Sequence, residues 1–245
     1  MSLQFYQDYR GDLGDLLEAW KAKEPFAFTR FGDGEAAVLI RREQAGYPPF
    51  IVERASERWR SDQVPESFRE LLDQALRCDA EGYYLGLLGR RGPEDPHAIY
   101  LHESAGVPME RRTFAEIFSY NNYHRMPVPK RMAKDTCIVT SSPIPDNEGY
   151  TSLLIPTEDA YELDPKDTVE ALLEVDRPIL VAAGPLANVI VHQYWLAQTP
   201  SRRQPIIDIG SALDPWIHGS ITRGYQHPKN AHRKREYVWH WKETA

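Results

Sequence analysis

Cysteine is nearly absent: Cys78 and Cys137 are the only two in 245 residues, too few for a disulfide framework or a Cys-rich zinc site. Long apolar runs are missing as well. A membrane span requires ~18 consecutive apolar residues, and the most apolar stretch, 179–191, is broken by Gly184, Pro185 and Asn188. In place of a secretory leader's basic head and apolar run, the opening segment carries Asp8, Asp12, Asp15 and Glu18. A reducing cytoplasm is therefore the expected compartment. Positive charge is in deficit, with a net charge of −7 and a pI near 5.6, which disfavours nucleic acid as a partner. Several catalytic signatures are also missing. There is no H-E-x-x-H, no G-x-S-x-G elbow, no Walker lysine and no G-x-G-x-x-G fingerprint, so zincin, α/β-hydrolase, P-loop and dinucleotide-binding readings lose their usual support.

What is present fits a folded α/β protein. An apolar share of 42% and a charged share of 27%, with 15 Gly and 19 Pro, exclude collagen-like, coiled-coil and disordered classes. Leu13, Leu16, Leu17 and Trp20 are helix-spaced behind a possible cap at Asp12. A strand is expected over 26–31 and a helix through Ala36, Ala37, Leu39 and Ile40. Pro65 opens a second helix bearing Phe68, Leu71, Leu72, Ala75 and Leu76, and a strand over 83–88 follows. Little periodicity marks 89–112, and Phe114, Ile117 and Phe118 suggest a short helix running toward Asn121 and Asn122. Strands over 136–140, 179–183 and 206–209 alternate with helices over 169–173 and 186–197, and 141–149 reads as a loop. That rhythm predicts an α/β sandwich around a mainly parallel sheet, as one domain over 1–245 with an irregular C-terminal segment and its ligands at the carboxyl ends of the strands. An N-terminal helical subdomain is the alternative.

Chemistry concentrates at three strand ends. In Thr29-Arg30-Phe31-Gly32-Asp33-Gly34-Glu35 two carboxylates one residue apart follow the first strand. On an extended segment they project to the same side, and the flanking glycines leave room for a phosphate. Oxygen ligands favour Mg2+ or Mn2+, which fill their remaining positions with water and substrate phosphates. The alternative is a Gly-Asp-Gly turn in which Glu35 caps a helix. Gly184-Pro185 sits at a strand-to-helix junction whose exposed amides can receive an anion. Asp208, in the otherwise apolar Ile207-Asp208-Ile209-Gly210, is costly to bury unpaired. It meets either a cation, ribose or metal-bound water, or an internal arginine. His102, His124 and His192 read as structural, and Gly82, Gly86, Gly89 and Gly92 as turns and close packing around a strand. Residues 223–242 hold six Lys or Arg against one acid, Glu236, either a solvated tail or a surface that neutralises a polyanion.

Taken together, Thr29–Glu35, Ile179–Pro185 and Ile207–Gly210 resemble the GT-D-type glycosyltransferases, in order and in spacing, with the likeness spread over 28–40, 178–190 and 205–225. The resemblance implies a Rossmann-like α/β/α sandwich and a D-x-E motif, Asp33 and Glu35, that holds Mn2+ or Mg2+ with a nucleotide-sugar donor, usually a UDP-sugar. It further implies a donor pocket lined by Arg30, Phe31, Gly32, Gly34, Gly184, Pro185, Asp208 and Gly210. Arg223, Lys229 and Arg233 are candidate cations for the diphosphate, with Tyr225 and Trp216 as stacking surfaces. Asp214 and Glu148 are candidate bases by loop position. The expected reaction moves a sugar to a carbohydrate or glycoconjugate hydroxyl. Its rivals are a Mg2+-dependent phosphohydrolase and a non-catalytic nucleotide- or glycan-binding protein.

Overall fold

The computed structural model describes residues 3–40, 51–54, 57–61, 63–89, 95–118, 132–144, 150–155 and 164–214. Nine strands lie among them: β1 (Ala27–Phe31), β2 (Ile51–Arg54), β3 (Glu57–Arg60), β4 (Tyr83–Leu87), β5 (Arg112–Phe114), β6 (Thr136–Thr140), β7 (Tyr150–Leu154), β8 (Ile179–Ala182) and β9 (Ile206–Asp208). Six α-helices accompany them: α1 (Tyr9–Lys21), α2 (Asp33–Leu39), α3 (Glu66–Arg77), α4 (Pro96–Ser104), α5 (Pro165–Leu173) and α6 (Leu186–Ala197). Seven strands form one sheet in the order β5-β4-β1-β9-β8-β6-β7, and every pairing in it is parallel. The pair β2-β3 is antiparallel and separate.

Period-two alternation divides the core. Ala27 and Phe31 of β1, Tyr83, Leu85 and Leu87 of β4, and Val139 and Val181 join side chains from α2 to α6 in one apolar cluster. Phe28, Tyr84, Ile138, Leu180 and Ile207 join Leu13, Leu16 and Trp20 of α1 in the other. Successive residues of a strand face opposite sides, so a near-continuous apolar strand requires cover on both faces. The architecture is an α/β sandwich, its sheet wholly rather than mainly parallel.

Helix α6 is the central covering element. Leu186 to Val191, His192, Tyr194 and Trp195 are all buried, the pattern of a helix enclosed on every side. Trp195 donates its indole N–H to the Glu81 carbonyl at 3.1 Å. Gly82 holds φ +75°, and a Cβ there would lie 2.6 Å from the Trp195 ring, so only glycine fits this turn.

Several local expectations change. Asp8, not Asp12, caps α1, its carboxylate accepting the Gly11 N–H at 2.9 Å. Asp12 is fully buried, accepts the Tyr6 N–H at 2.7 Å and the Thr113 hydroxyl at 2.6 Å, and is raised in pKa chiefly by desolvation. It ties the N-terminal segment to β5. Phe114 ends β5 instead of opening a helix, because it pairs with Leu87; helical geometry starts at Ile117. Helix α4 occupies part of 89–112, where Asp95 accepts from the His97 and Ala98 N–H groups and Pro96 takes the first helical position. The edge strand β7, half exposed along its length, had no apolar alternation to announce it. Residues 141–144 are irregular, and the rest of the 141–149 loop lies outside the described residues, as does 215–245.

Candidate functional site at the carboxyl ends of β1, β8 and β9

The three sequence islands converge because β1, β9 and β8 are neighbours in the sheet and a parallel sheet points all its carboxyl ends one way. From β1 the chain passes by way of α2 and α3 to β4 on one side. From β8 it arrives at β9 from the other. The β1–β9 seam is thus the place where the two halves of the sheet meet, and crevices for ligands form outside such seams.

The seam opens early. Its ladder ends at Phe28–Ile207, because Ile209 has already left the extended region with φ −93° and ψ −9°. The Arg30 N–H and C=O consequently have no strand partner on that side, and two side chains replace one. Asp208 Oδ2 accepts the Arg30 N–H at 3.2 Å, and Asn188 of α6 donates Nδ2–H to the Arg30 carbonyl at 2.7 Å. Asn188 is fully buried. Its Oδ1 has no hydrogen-bond partner among the described residues, a deficit worth about 1–3 kcal/mol.

Asp208 takes the internal arginine. Arg30 Nε donates to the Asp208 carbonyl at 2.9 Å, Nη1 to the Ala115 carbonyl at 2.9 Å, and Nη2 to Asp208 Oδ1 at 3.3 Å. The same Oδ1 accepts the Gly210 N–H at 2.9 Å. Burial raises the Asp208 pKa, opposed by the Arg30 guanidinium and these hydrogen bonds. Gly210 adopts φ +51°, and a Cβ there would fall 1.6 Å from Arg30 Nη2; glycine is what lets the guanidinium reach the carboxylate. Of the expected donor-pocket residues, Arg30, Asp208 and Gly210 form one internal lock.

Asp33 and Glu35 are set differently. They begin α2 rather than continue β1, so they sit at the first and third helical positions, about 200° apart around the axis. Alternation along an extended segment is not what relates them. Glu35 reaches back, and its Oε2 accepts the Gly32 N–H at 2.8 Å, the reciprocal arm of a capping box. Asp33 Oδ1 accepts the Gly34 N–H at 3.1 Å. Both acids lie at the end of α2 where the helix dipole favours anions. Both residues keep part of their surface accessible. Nevertheless the Glu35 carboxyl is pushed up to about 7, first by desolvation and further by the charge of Asp208, with its own backbone N–H, the Gly32 N–H and Arg30 acting against the shift.

Capping and cation binding are compatible here. A carboxylate offers about four lone-pair sites, so the Gly32 bond does not exhaust it, and one so desolvated is relieved by a positive charge. An all-oxygen pair suits Mg2+ or Mn2+, which take one or two carboxylates and leave other positions to water and phosphate. No cluster of three or more His, Cys, Asp or Glu side chains able to hold a metal occurs among the described residues.

The remaining expectations divide by position. Phe31 is buried in the α2–α6 cluster. Gly184, φ +55°, accepts the Ala187 N–H at 3.0 Å and with Pro185 leads into α6, whose first residue is Leu186 and not Pro185. Asp214 closes the short 3-10 helix Gly210–Leu213 at the same edge and is partly accessible. His102 Nε2 lies 3.3 Å from the Leu88 carbonyl, and His192 packs edge-on against Tyr83, both structural placements. Glu148, Trp216, Arg223, Tyr225, Lys229, Arg233 and His124 lie outside the described residues. Asn188 was missed by sequence reasoning, where it figured only as a break in an apolar run; an asparagine within a wholly buried helix was the available signal.

Among the described residues no helix is long and apolar enough to cross a membrane. No family model matches the chain, and no curated protein matches it in sequence. Two solved structures share its fold. A selenomethionine-substituted structure of domain of unknown function 1792 is 14% identical with a TM-score of 0.56, over 85% of this chain and 81% of that one. Another, described as the highly conserved domain of unknown function 1792 with a distinct glycosyltransferase fold, is 14% identical with a TM-score of 0.56, over 89% of this chain and 88% of that one. The chain therefore shares the fold of those structures, the second of which is described as a distinct glycosyltransferase fold, in agreement with the α/β sandwich that the GT-D-type likeness implies.

Proposed function

We propose that the protein is a metal-dependent glycosyltransferase that moves a sugar from a nucleoside-diphosphate donor, most simply a UDP-sugar, to a carbohydrate or glycoconjugate hydroxyl. One observation carries the reading: in a glycosyltransferase fold, two carboxylates stand at the seam of the sheet, and the more enclosed of them is desolvated enough to sit near a pKa of 7.

Asp33 and Glu35 would hold Mn2+ or Mg2+, which when bound neutralises the charge that develops on a departing diphosphate. Every other part falls to the chain. The Gly32 N–H holds Glu35 in its reach-back conformation. The Arg30–Asp208 lock sets the end of β1. The turn at Gly184-Pro185 presents the start of α6, whose dipole favours an anionic phosphate. Asp214, at the same edge, would accept the proton of an acceptor hydroxyl.

A thermal-shift panel of UDP, ADP, GDP and their sugar conjugates, each with and without Mn2+, tests donor class and metal coupling together. A stabilisation by UDP or a UDP-sugar that requires the metal is expected. Nucleotide stabilisation indifferent to Mn2+ would instead favour a binding protein. Release of free sugar or phosphate at full rate without an acceptor would favour a phosphohydrolase.

A further inference from the structure

We propose that Asn188 is a positioning residue for the metal-binding turn, an inference that rests on reading Asp33 and Glu35 as metal ligands. The argument starts from the open seam. Beyond Phe28–Ile207 the ladder between β1 and β9 ends, yet β1 continues to Phe31 and delivers Gly32 to Glu35 directly after it. On the β9 side, the Arg30 N–H goes to Asp208 and the Arg30 carbonyl goes to Asn188. The second bond, at 2.7 Å, ties β1 to α6, and it lies two residues before Gly32 and three before Asp33.

Asn188 makes a poor purely structural residue. It is fully buried, its neighbours on α6 are Ala187 and Val189, and its Oδ1 has no hydrogen-bond partner among the described residues. An apolar side chain of equal size would remove that orphaned acceptor. Keeping the carboxamide serves the one bond it does make, which couples the helix starting behind Gly184-Pro185 to the strand that carries the acids. The two halves of the site, phosphate-facing turn and carboxylate-bearing turn, are thereby held in register.

The experiment compares Asn188→Leu, which keeps the branched side-chain shape and loses the donor, with His192→Phe, one turn along the same buried helix. If Asn188→Leu fails to fold by circular dichroism, Asn188→Ser, whose hydroxyl is too short to reach, takes its place. Two readouts are used. Amide hydrogen exchange of metal-free protein should show residues 31–35 exchanging about tenfold faster in the Asn188 variant and unchanged in the His192 variant. Mn2+ binding in the presence of UDP, followed by electron paramagnetic resonance, should weaken by about tenfold in the Asn188 variant alone, with transfer recovering at saturating Mn2+. Unchanged exchange and unchanged Mn2+ affinity in the Asn188 variant, beside a wild type that binds the metal, overturn this role and leave the functional reading intact. A wild type that takes up no Mn2+ with UDP overturns the functional reading and this inference with it.

Discussion

The ends of β1 and β9 look alike as sequence and differ as chemistry. Each pairs an acid with glycine, Gly32-Asp33-Gly34-Glu35 on one and Asp208-Ile209-Gly210 on the other. Asp208 is completed from within: a guanidinium, the Gly210 N–H and the Arg30 N–H surround it. On Glu35 backbone N–H groups act instead, its own and that of Gly32, while the charge of Asp208 opposes ionisation and Arg30, which favours it, is already engaged by Asp208. A carboxylate with a built-in counter-ion holds a fold together, whereas under the proposed function the one beside a second acid would take a cation. Acid-plus-glycine at a strand end therefore does not by itself name a ligand site.

Substitutions can break that contrast. The largest effect is expected for Asp33→Asn and Glu35→Gln, each cutting sugar transfer about 10²- to 10³-fold, since a metal's stabilisation of developing charge is worth several kcal/mol. Normal circular dichroism beside near-wild-type turnover would refute the assignment. Asp208→Asn should act on stability instead, because it strands the Arg30 guanidinium, whose side chain is only 15% exposed. Breaking a buried pair costs about 3 kcal/mol, a fall of roughly 10 °C in Tm by calorimetry at this chain length. Gly210→Ala attacks the same lock through backbone strain and the Arg30 contact, with an expected loss of about 2 kcal/mol.

A smaller effect has the opposite sign and depends on pH. Because the folded state lifts the Glu35 carboxyl from its ordinary 4.5 to about 7, the folded protein holds a proton there that the unfolded chain has released. That contribution to stability is complete below pH 4.5 and is lost as pH rises through about 7. Glu35→Gln escapes the loss. Discounted for the part of the residue that meets solvent, the variant should be about 1 kcal/mol more stable than wild type at pH 8 and no different at pH 4, as read by denaturant melts at the two pH values. Equal unfolding free energies at pH 8 would mean that the carboxyl is better solvated than its surroundings imply. Smallest, and away from both strand ends, Tyr84→Phe removes the hydroxyl bond to the Leu3 carbonyl at 2.9 Å and should lower stability by about 1 kcal/mol without changing transfer.

Much of this was legible in residue order. Helices with clear apolar faces, such as Phe68, Leu72, Ala75 and Leu76 on α3, and strands buried on both faces, such as Cys137 to Val139 on β6, announce themselves by period. Strand β7 did not, because an edge strand that is half exposed needs no apolar alternation. Strand β5 is three residues long, below the length at which a period shows. Asp12 read as a cap because a short acid before an apolar helix usually is one, and only the approach of Thr113 from 101 residues away turned it into a tether.

The chain's own order settled the α/β alternation and the oxygen-rich character of the turn after β1, since period and residue type are local properties. Which acid carries a partner, and that Asn188 closes the gap beside Arg30, was decided by folding. Both depend on side chains brought together across 158 to 178 residues of sequence, and no local pattern encodes a contact between strands that pair only after the sheet is assembled.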